Sequence, residues 1–215
     1  MLVGPDTKSP GQTESLRIAT VLLAAGLSRR MGAQNKLLIE IGGEPMVRRL
    51  AQAYLAARTD VHVVVGYEAE RVCEALKNLP LRIIQSPGFI EGQAASVRAG
   101  LQGLSGRYDA VLMALSDQPA LTPADITGLL SAFGRSGRDR VLIPYHQGSR
   151  GNPVVFPPGI IQEILAAGPS ADCRSFINAN PQRTSRYEAG NAHFTTDIDT
   201  PDDIRAFKAS SHGHQ

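Results

Sequence analysis

The chain has few cysteines, no long apolar run and no large excess of one charge, and each of these absences argues against a class of protein. Cys73 and Cys173 are its two cysteines, and neither belongs to a Cys-x-x-Cys pair or lies near a histidine cluster. We therefore expect both thiols to be small buried side chains, rather than metal ligands or the halves of a disulfide.

No apolar segment is long enough to span a membrane, and residues 1–15 lack the hydrophobic region of a signal peptide. We therefore expect a cytoplasmic protein that does not contact a membrane. Residues 1–15 and 210–215 cannot bury enough apolar surface to offset the cost of ordering them. This predicts a disordered N-terminal arm, a folded domain over residues 16–209, and a disordered tail.

The formal net charge is +2, and no basic stripe interleaved with aromatic residues is present, which argues against a nucleic-acid-binding protein. With 42% hydrophobic and 20% charged residues, the composition is that of an ordinary globular domain. Two common phosphate-binding motifs are also missing. No Gly-Lys-Ser/Thr follows the first glycine-rich segment, and the strand before it is not followed by Gly-x-Gly-x-x-Gly.

What the sequence does contain is an apolar run, from Ile18 to Ala25, that stops at Gly26 and continues into a basic loop ending at Lys36. This pattern predicts a buried strand followed by a loop. Small residues let backbone N–H groups approach phosphate oxygens, while Arg29 or Arg30 and Lys36 supply positive charge. The loop is therefore predicted to bind a small polyanion.

Strands and helices alternate along the rest of the chain, which is typical of βαβ units and a parallel sheet. Predicted strands include 61–65, 81–85, 109–115 and 140–144, with weaker candidates at 183–187 and 192–196. Helices are predicted from Glu44-Pro45 to about Ala57, over 68–77, from about Glu91, from Pro123 to Phe133, and after Thr200.

Asp117 follows the strand 109–115, within Ser116-Asp117-Gln118-Pro119. In a doubly wound sheet, ligands bind beyond the carboxyl ends of the strands, so we expect Asp117 to share a crevice with the Gly26 loop. A carboxylate at this position can hold Mg²⁺ together with substrate phosphates. The alternative is an aspartate that only caps the turn.

The segment Leu23-Ala-Ala-Gly-Leu-Ser-Arg-Arg-Met-Gly32, followed by Lys36-Leu-Leu, resembles the signature of the MobA-like nucleotidyltransferases. It is most similar to their molybdenum cofactor cytidylyltransferase branch. The resemblance covers nearly the whole chain from Ile18 to Phe207. It implies a three-layer α/β/α Rossmann-like domain with a mixed, mostly parallel sheet. It also implies a nucleotide site on a set of loop residues: Leu23, Ala24, Ala25, Gly26, Ser28, Arg30 and Lys36.

The same resemblance implies further roles. A serine such as Ser96, followed by a helix, faces the nucleotide in this superfamily, and Gln93 lies near the base or ribose. The small residues around them also fit a tightly packed helix with no ligand.

Ser116-Asp-Gln-Pro119 resembles the Gly-Asp-Gln-Pro of the family, whose aspartate binds the metal. Gly148-Ser-Arg-Gly-Asn-Pro153 resembles the border of the acceptor pocket, so Arg150 and Asn152 are candidate substrate-binding residues.

Several acids follow one another in Thr196-Asp-Ile-Asp-Thr-Pro-Asp-Asp-Ile204. Asp202 and Asp203 suit the first turn of a helix that Thr200 caps. We expect Asp197 and Asp199 to point to opposite sides of an extended segment, so that only one faces the site. Because the residue before Thr-Pro often completes the metal site in the superfamily, the resemblance favours Asp199 as the second Mg²⁺ ligand beside Asp117.

The resemblance therefore implies a Mg²⁺-dependent transfer of CMP from CTP to the terminal phosphate of molybdopterin, with Lys36, Arg30 and Asp117 as the catalytic residues. Two alternatives stay open. One is a flavin- or nicotinamide-dependent oxidoreductase, because a nicotine-blue oxidoreductase family resembles the same scaffold. The other is a non-catalytic chaperone that delivers the pterin to a molybdenum hydroxylase apoenzyme. Neither the base of the nucleotide nor the acceptor is determined by the sequence alone.

Overall fold

The structure is a computed structural model that describes residues 16–31, 34–169 and 171–211. The predicted N-terminal arm, residues 1–15, lies outside the described residues. The last helix continues to Ser211, which is two residues into the predicted tail of residues 210–215. The remaining four residues of that tail also lie outside the described part of the chain.

The strands alternate with helices along the described chain, as the sequence predicts. The strands are β1 (Ile18–Ala24), β2 (Glu40–Ile41), β3 (Glu44–Pro45), β4 (Asp60–Val65), β5 (Arg82–Gln85), β6 (Ala110–Leu115), β7 (Val141–His146), β8 (Ser149–Arg150), β9 (Val154–Phe156) and β10 (Thr184–Glu188). The helices are α1 (Met46–Ala56), α2 (Ala69–Ala75), α3 (Gln93–Gln102), α4 (Pro123–Arg135), α5 (Pro158–Ala166), α6 (Cys173–Ala179) and α7 (Pro201–Ser211).

The main sheet has the strand order β10-β7-β9-β6-β1-β4-β5, with β8 paired to β7. β1 lies near its centre and pairs in parallel with both β4 and β6. β9 runs antiparallel between β6 and β7. The sheet is therefore mixed and mostly parallel, which confirms the predicted fold class.

The central strands are apolar on both faces because helices cover the sheet from both sides. Along β1, Leu22 packs into a core formed with α1, α2 and α4, whereas its neighbour Val21 packs into a second core with α3, α5 and α6. Val63 and Val64 alternate between the same two cores along β4. The fold thus has three layers, with the sheet in the middle.

One close contact brings α3 against the sheet. A Cβ built on Gly100 would lie 2.5 Å from Val21 Cγ1 and 2.8 Å from Val64 Cγ2. Because no side chain fits there without a shift, the glycine allows the backbone of α3 to pack directly on β1 and β4. Gln93, at the start of α3, is thereby held beyond the carboxyl ends of these strands.

Two of the predicted elements are wrong in detail. Glu44 and Pro45 pair with Glu40 and Ile41 in a small antiparallel hairpin, so the helix predicted from Glu44 begins only at Met46. Pro45 is extended at the N-cap, because the preceding Gly42-Gly43 turn directs the chain back along β2. The predicted weak strand 192–196 is a 3-10 turn at Ala192–Thr195, which Asn191 caps by accepting from the His193 N–H.

Within the described residues, no helix combines the length and the apolar character that crossing a membrane requires.

Candidate functional site

A cavity of about 700 Å³ opens beyond the carboxyl ends of β1 and β6. Because these two strands are parallel neighbours, the loops that follow them meet at the same edge of the sheet. From the basic loop, the cavity is lined by Leu23, Ala25, Gly26, Arg30 and Lys36. From elsewhere in the chain it is lined by the other predicted residues Gln93, Ser96, Asp117 and Asp199.

Four of the predicted residues do not line the cavity. Ala24 is buried in the core at the end of β1. Ser28 instead organises the loop, because its hydroxyl accepts from the Lys36 N–H at 3.3 Å and donates to Asn35 Oδ1 at 3.4 Å. Arg150 and Asn152 lie in and just after the β7–β8 hairpin, outside the cavity wall.

Lys36 is the centre of the charged part of the cavity. Its ammonium donates to Asp117 Oδ2 and to Asp199 Oδ1, each at 2.8 Å. Burial disfavours the charged form, but the two carboxylates outweigh this effect and raise the pKa of Lys36. Arg30 forms an ion pair with the same Asp199 oxygen at 2.9 Å. Two cations therefore converge on a pair of acids that are distant in the sequence.

Asp117 is held in place at the end of β6 by its neighbours. The Ser116 hydroxyl donates to the carbonyl of Leu23 on β1, and the Asp117 carbonyl accepts from the Ile198 N–H at 2.8 Å. The departure from the family's Gly-Asp-Gln-Pro pattern thus adds a bond between β6 and β1. Asp117 Oδ1 is buried and has no hydrogen-bond partner within the described residues, which leaves this oxygen for a ligand.

Asp197 and Asp199 both line the cavity, so the expectation that they point to opposite sides is wrong. Residues two apart in an extended chain share a side, and it is Ile198, between them, that points away and is buried in the core. Asp197 Oδ1 accepts from Gln118 Nε2 at 2.8 Å. Burial and the nearby charge of Asp117 raise the pKa of Asp197.

The cap of α7 fixes the backbone of Asp199. The Asp203 carboxylate accepts from the N–H groups of Asp199 at 3.0 Å and Thr200 at 2.8 Å, and Thr200 Oγ1 accepts from the Asp203 N–H. This reciprocal capping box is the structural role predicted for the acids at the helix start. Asp203 therefore stabilises the helix and also positions Asp199.

The carboxylates of Asp117 and Asp199 offer the oxygen atoms that a hard divalent cation prefers. The Lys36 ammonium between them shows that a positive charge is stable at this point. Among the residues that the structure describes, no group of three or more His, Cys, Asp or Glu side chains is arranged as a complete metal site. Mg²⁺ usually takes only one or two protein carboxylates and completes its shell with water and phosphate.

Sequence reasoning missed several side chains that line the cavity, among them Phe89, Ile90 and Arg174. Phe89 and Ile90 follow β5, and the rule that ligands bind beyond the carboxyl ends of strands could have identified them. Phe89 lies against Gly66, where an added Cβ would be 2.6 Å from its ring. No local pattern singles out Arg174, which follows the N-cap residue Asp172 by two positions on α6.

The cysteines show no sign of nucleophilic reactivity. Burial raises the pKa of Cys173 to about 12 and also raises the pKa of Cys73. A thiol needs a lowered pKa to be an effective nucleophile near neutral pH. Both are free thiols that pack against the cores. Cys173 is buried, as the sequence predicts, whereas Cys73 is only partly buried.

Comparisons with known proteins identify relatives of the chain. The chain is 27% identical over 202 residues to a nicotine blue oxidoreductase of Paenarthrobacter nicotinovorans, covering 88% of this chain and 96% of that protein. It is 26% identical to a molybdenum cofactor cytidylyltransferase of Escherichia coli, covering 87% and 93%. It is 29% identical to a probable molybdenum cofactor guanylyltransferase of Natronomonas pharaonis, covering 86% and 93%.

Among solved structures, a nucleotidyl transferase from Methanothermobacter thermautotroptrophicus has the same fold, with a TM-score of 0.77 and 22% identity over 90% of this chain and 97% of that one. The family model described as "MobA-like NTP transferase domain" matches residues 20–187, which include the glycine-rich loop, Lys36 and Asp117. The chain therefore belongs to the family of MobA-like NTP transferase domains, and so to the nucleotidyltransferases.

Proposed function

We propose that the protein transfers CMP from CTP to the terminal phosphate of molybdopterin, with release of pyrophosphate and with Mg²⁺ as the metal. The observation that carries this proposal is the meeting of a cationic glycine-rich loop and two aspartates in one cavity, at the ends of β1 and β6. The similarity to the E. coli cytidylyltransferase over nearly its whole length supports the same reaction.

The nucleotide site consists of the basic loop and the start of α3. Gly26 leaves its backbone open, since a Cβ built there would meet nothing within 4 Å, so phosphate oxygens can approach the loop amides. Arg30 and Lys36 neutralise phosphate charge. Gln93 and Ser96 line the cavity beyond the loop, where the base or ribose of the nucleotide would lie.

Asp117 and Asp199 are the residues that would hold Mg²⁺, and the buried, unpartnered Oδ1 of Asp117 fits this role. When bound, the metal neutralises charge on the phosphates and helps to orient them. Asp197 also lines the cavity, where it adds negative charge beside these two acids.

In this reaction a phosphate monoester oxygen of the acceptor forms a bond to the α-phosphorus of CTP, and the bond from that phosphorus to pyrophosphate breaks. A phosphate monoester is already largely ionised near neutral pH, so no strong general base is needed. The residues of the cavity then act by alignment and charge neutralisation. Lys36 and Arg30 face developing charge, and Asp117 holds the metal.

Arg150 and Asn152 remain proposed acceptor-binding residues. They lie outside the wall of the cavity in the structure, on the β7–β8 hairpin and the turn after it. The Asn152 N–H donates to the Phe194 carbonyl at 2.9 Å, so this segment is attached to the turn that precedes Asp197 and Asp199. A bound acceptor would have to extend from the cavity toward the hairpin to contact Arg150.

One other function is favoured by a particular observation, and a second follows from the same cavity without catalysis. The similarity to the nicotine blue oxidoreductase favours an oxidoreductase on the same scaffold, although the chain has no Gly-x-Gly-x-x-Gly after β1. A chaperone that hands the pterin to a molybdenum hydroxylase would keep the acceptor side of the cavity. It would not need Lys36 or Asp117, and both are present.

One experiment separates the three functions. The protein is incubated with Mg²⁺, molybdopterin and each nucleoside triphosphate in turn, and pyrophosphate release is followed, while NADH and NADPH oxidation is measured in parallel with a flavin supplied. We expect pyrophosphate with CTP only when molybdopterin is present. Nicotinamide oxidation without pyrophosphate would establish the oxidoreductase. Tight pterin binding with neither reaction would establish the chaperone.

A further inference from the structure

Arg174 differs from the other positively charged residues of the cavity. Arg30 and Lys36 are both paired with Asp199, and Lys36 also with Asp117. Arg174 lines the same cavity and is exposed, yet it has no hydrogen bond or ion pair with any of the described residues. A guanidinium presents a planar fork of donors that matches carboxylate and phosphate oxygens, and here that fork is free.

A second arginine, Arg150, is near enough for the charge of Arg174 to act on it. Burial and the nearby charge of Arg174 lower the pKa of Arg150, against an opposing effect of Tyr145. Arg150 is likewise without an acidic partner in the part of the chain that the structure describes. Two like charges near each other repel unless an anion lies between or beside them. An anion bound at Arg174 would therefore be favoured by the charge of both arginines.

The position of this pair separates it from the nucleotide-binding loop. The basic loop follows β1, and Phe89 and Gln93 belong to the segment after β5, at one edge of the sheet. Arg150 is on β8, which pairs with β7 toward the opposite edge. Arg174 is anchored there by its neighbour Cys173, which packs with Ile143 of β7 and Ile160 of α5. Arg174 thus lines the cavity from the part of the sheet that contains β7, and the basic loop lines it from β1.

We propose that Arg174, supported by the charge of Arg150, binds the phosphate monoester of the acceptor substrate. This inference rests on the proposed function, since it identifies which residue recognises the second substrate at the same cavity. It assigns the paired cations Arg30 and Lys36 to the triphosphate and the unpaired Arg174 to the acceptor. Because Arg174 recognises the terminal phosphate of the acceptor, this phosphate contributes to binding of the acceptor as well as to the reaction.

The test compares pterin binding in the wild type, Arg174→Gln, Arg174→Lys and the control Arg205→Gln. Arg205 is an exposed arginine on α7 that pairs with Asp202, outside the cavity. Binding of molybdopterin and of its dephosphorylated form is measured by the change in pterin fluorescence, and binding of CTP by calorimetry. Because the Arg174 side chain is exposed, both variants should fold, and circular dichroism checks this.

We expect Arg174→Gln to weaken molybdopterin binding by roughly 10–100-fold, which is typical for loss of a hydrogen bond to a charged group. Arg174→Lys should recover part of this loss. Binding of the dephosphorylated pterin and of CTP should be unchanged in both variants, and Arg205→Gln should match the wild type.

Unchanged molybdopterin binding in Arg174→Gln would overturn the inference, as would an equal loss for the dephosphorylated form. If Arg174→Gln weakened the binding of CTP and not that of molybdopterin, Arg174 would be assigned to the nucleotide. A failure of the proposed function is a different result: the wild type would release no pyrophosphate with any nucleoside triphosphate, while the Arg174-dependent binding of the phosphorylated pterin would persist.

Discussion

At the scale of single residues, three acids that look alike in the sequence have different surroundings in the fold. Asp117 and Asp199 both accept from Lys36, whereas Asp202 is exposed on α7 and pairs with Arg205. Loss of a residue that only hydrogen-bonds to a metal ligand typically lowers activity by roughly 10–100-fold. We expect Asp117→Asn to lower Mg²⁺-dependent turnover by more than this. Asp199→Asn should lower it less, and Asp202→Asn should leave it unchanged.

Steady-state pyrophosphate release at varied Mg²⁺ measures these effects. If Mg²⁺ binds at the two acids, the Mg²⁺ concentration needed for half-maximal rate should rise in Asp199→Asn and not in Asp202→Asn. Equal losses in these two variants would mean that the acids are wrongly divided between metal binding and helix capping.

Ala25 is the residue at which the choice of base can be tested. Its side chain lines the cavity at the start of the loop and is 4% exposed. Its Cβ narrows the slot beside the loop relative to a glycine, and a pyrimidine needs less width than a purine. A methyl-sized difference is worth about 1–3 kcal/mol, or roughly 10–200-fold in kcat/KM. We expect CTP to be preferred over GTP within about this range.

Ala25→Gly should shift the ratio of kcat/KM values toward GTP, measured by pyrophosphate release with each nucleotide. A wild type that uses GTP as well as CTP would contradict the assignment to CTP. An unchanged ratio in the variant would show that the loop does not select the base.

At the scale of secondary-structure elements, the Asp125 side chain connects the start of α4 to the 191–195 turn, which precedes the acids of the site. Asp125 completes the capping box with Thr122, and its carboxylate also accepts from Asn191 Nδ2 at 2.9 Å. It lies 2.8 Å from His193 Nδ1 as well. Loss of a helix cap lowers the free energy of unfolding by about 0.5–2 kcal/mol. We expect Asp125→Ala to lower it by at least this amount, because the bond to the 191–195 turn is lost too. Urea denaturation measures the difference.

The same carboxylate should make part of the stability depend on pH. Burial acts to raise the pKa of Asp125, but its hydrogen bonds outweigh burial and lower the pKa below the ordinary value of 3.8. The folded state therefore holds the ionised form more strongly than the unfolded chain does. This contribution is fully present above the ordinary pKa, and it is lost as the pH falls through the lowered folded value.

We expect the difference in unfolding free energy between the wild type and Asp125→Asn to be largest near neutral pH and to shrink as the pH is lowered below about 4. The asparagine keeps an acceptor but cannot ionise, so it is the matched control for charge. A difference that stays constant over this range would show that the charge of Asp125 does not contribute.

At the scale of the whole molecule, Gly100 is a point of close contact between the helix layer and the sheet. An added Cβ would lie within 3 Å of both Val21 and Val64, which are fully buried and have little freedom to move. We expect Gly100→Ala to destabilise the fold by about 1–3 kcal/mol through overpacking, which exceeds the gain in helix propensity of up to about 1 kcal/mol.

Gly159→Ala is the matched control, because Gly159 lies near the start of α5 and a Cβ there would meet nothing within 4 Å. It should be neutral or stabilising by up to about 1 kcal/mol in the same urea titration. If Gly100→Ala were as stable as this control, the sheet would be accommodating the methyl group, and α3 would not be held as closely as its backbone position indicates.

The amino-acid sequence by itself determined the parts of this protein that depend on local patterns. The apolar run before Gly26 predicted β1, and Thr122-Pro-Ala-Asp125 predicted the start of α4, because periodicity and capping act over a few residues. One general rule then placed Asp117 near the basic loop, since the carboxyl ends of parallel strands lie at one edge of a sheet.

Only the tertiary structure decided how charges from distant segments meet. Lys36 reaches Asp117 and Asp199 across sequence separations of 81 and 163 residues, and no local pattern specifies such a contact. Arg174 enters the cavity because Cys173 beside it is packed under α5, and Asp197 shares a side with Asp199 because Ile198 is drawn into the core. In each case the burial of a neighbouring apolar side chain, which depends on the packed layers, sets the direction of the charged one.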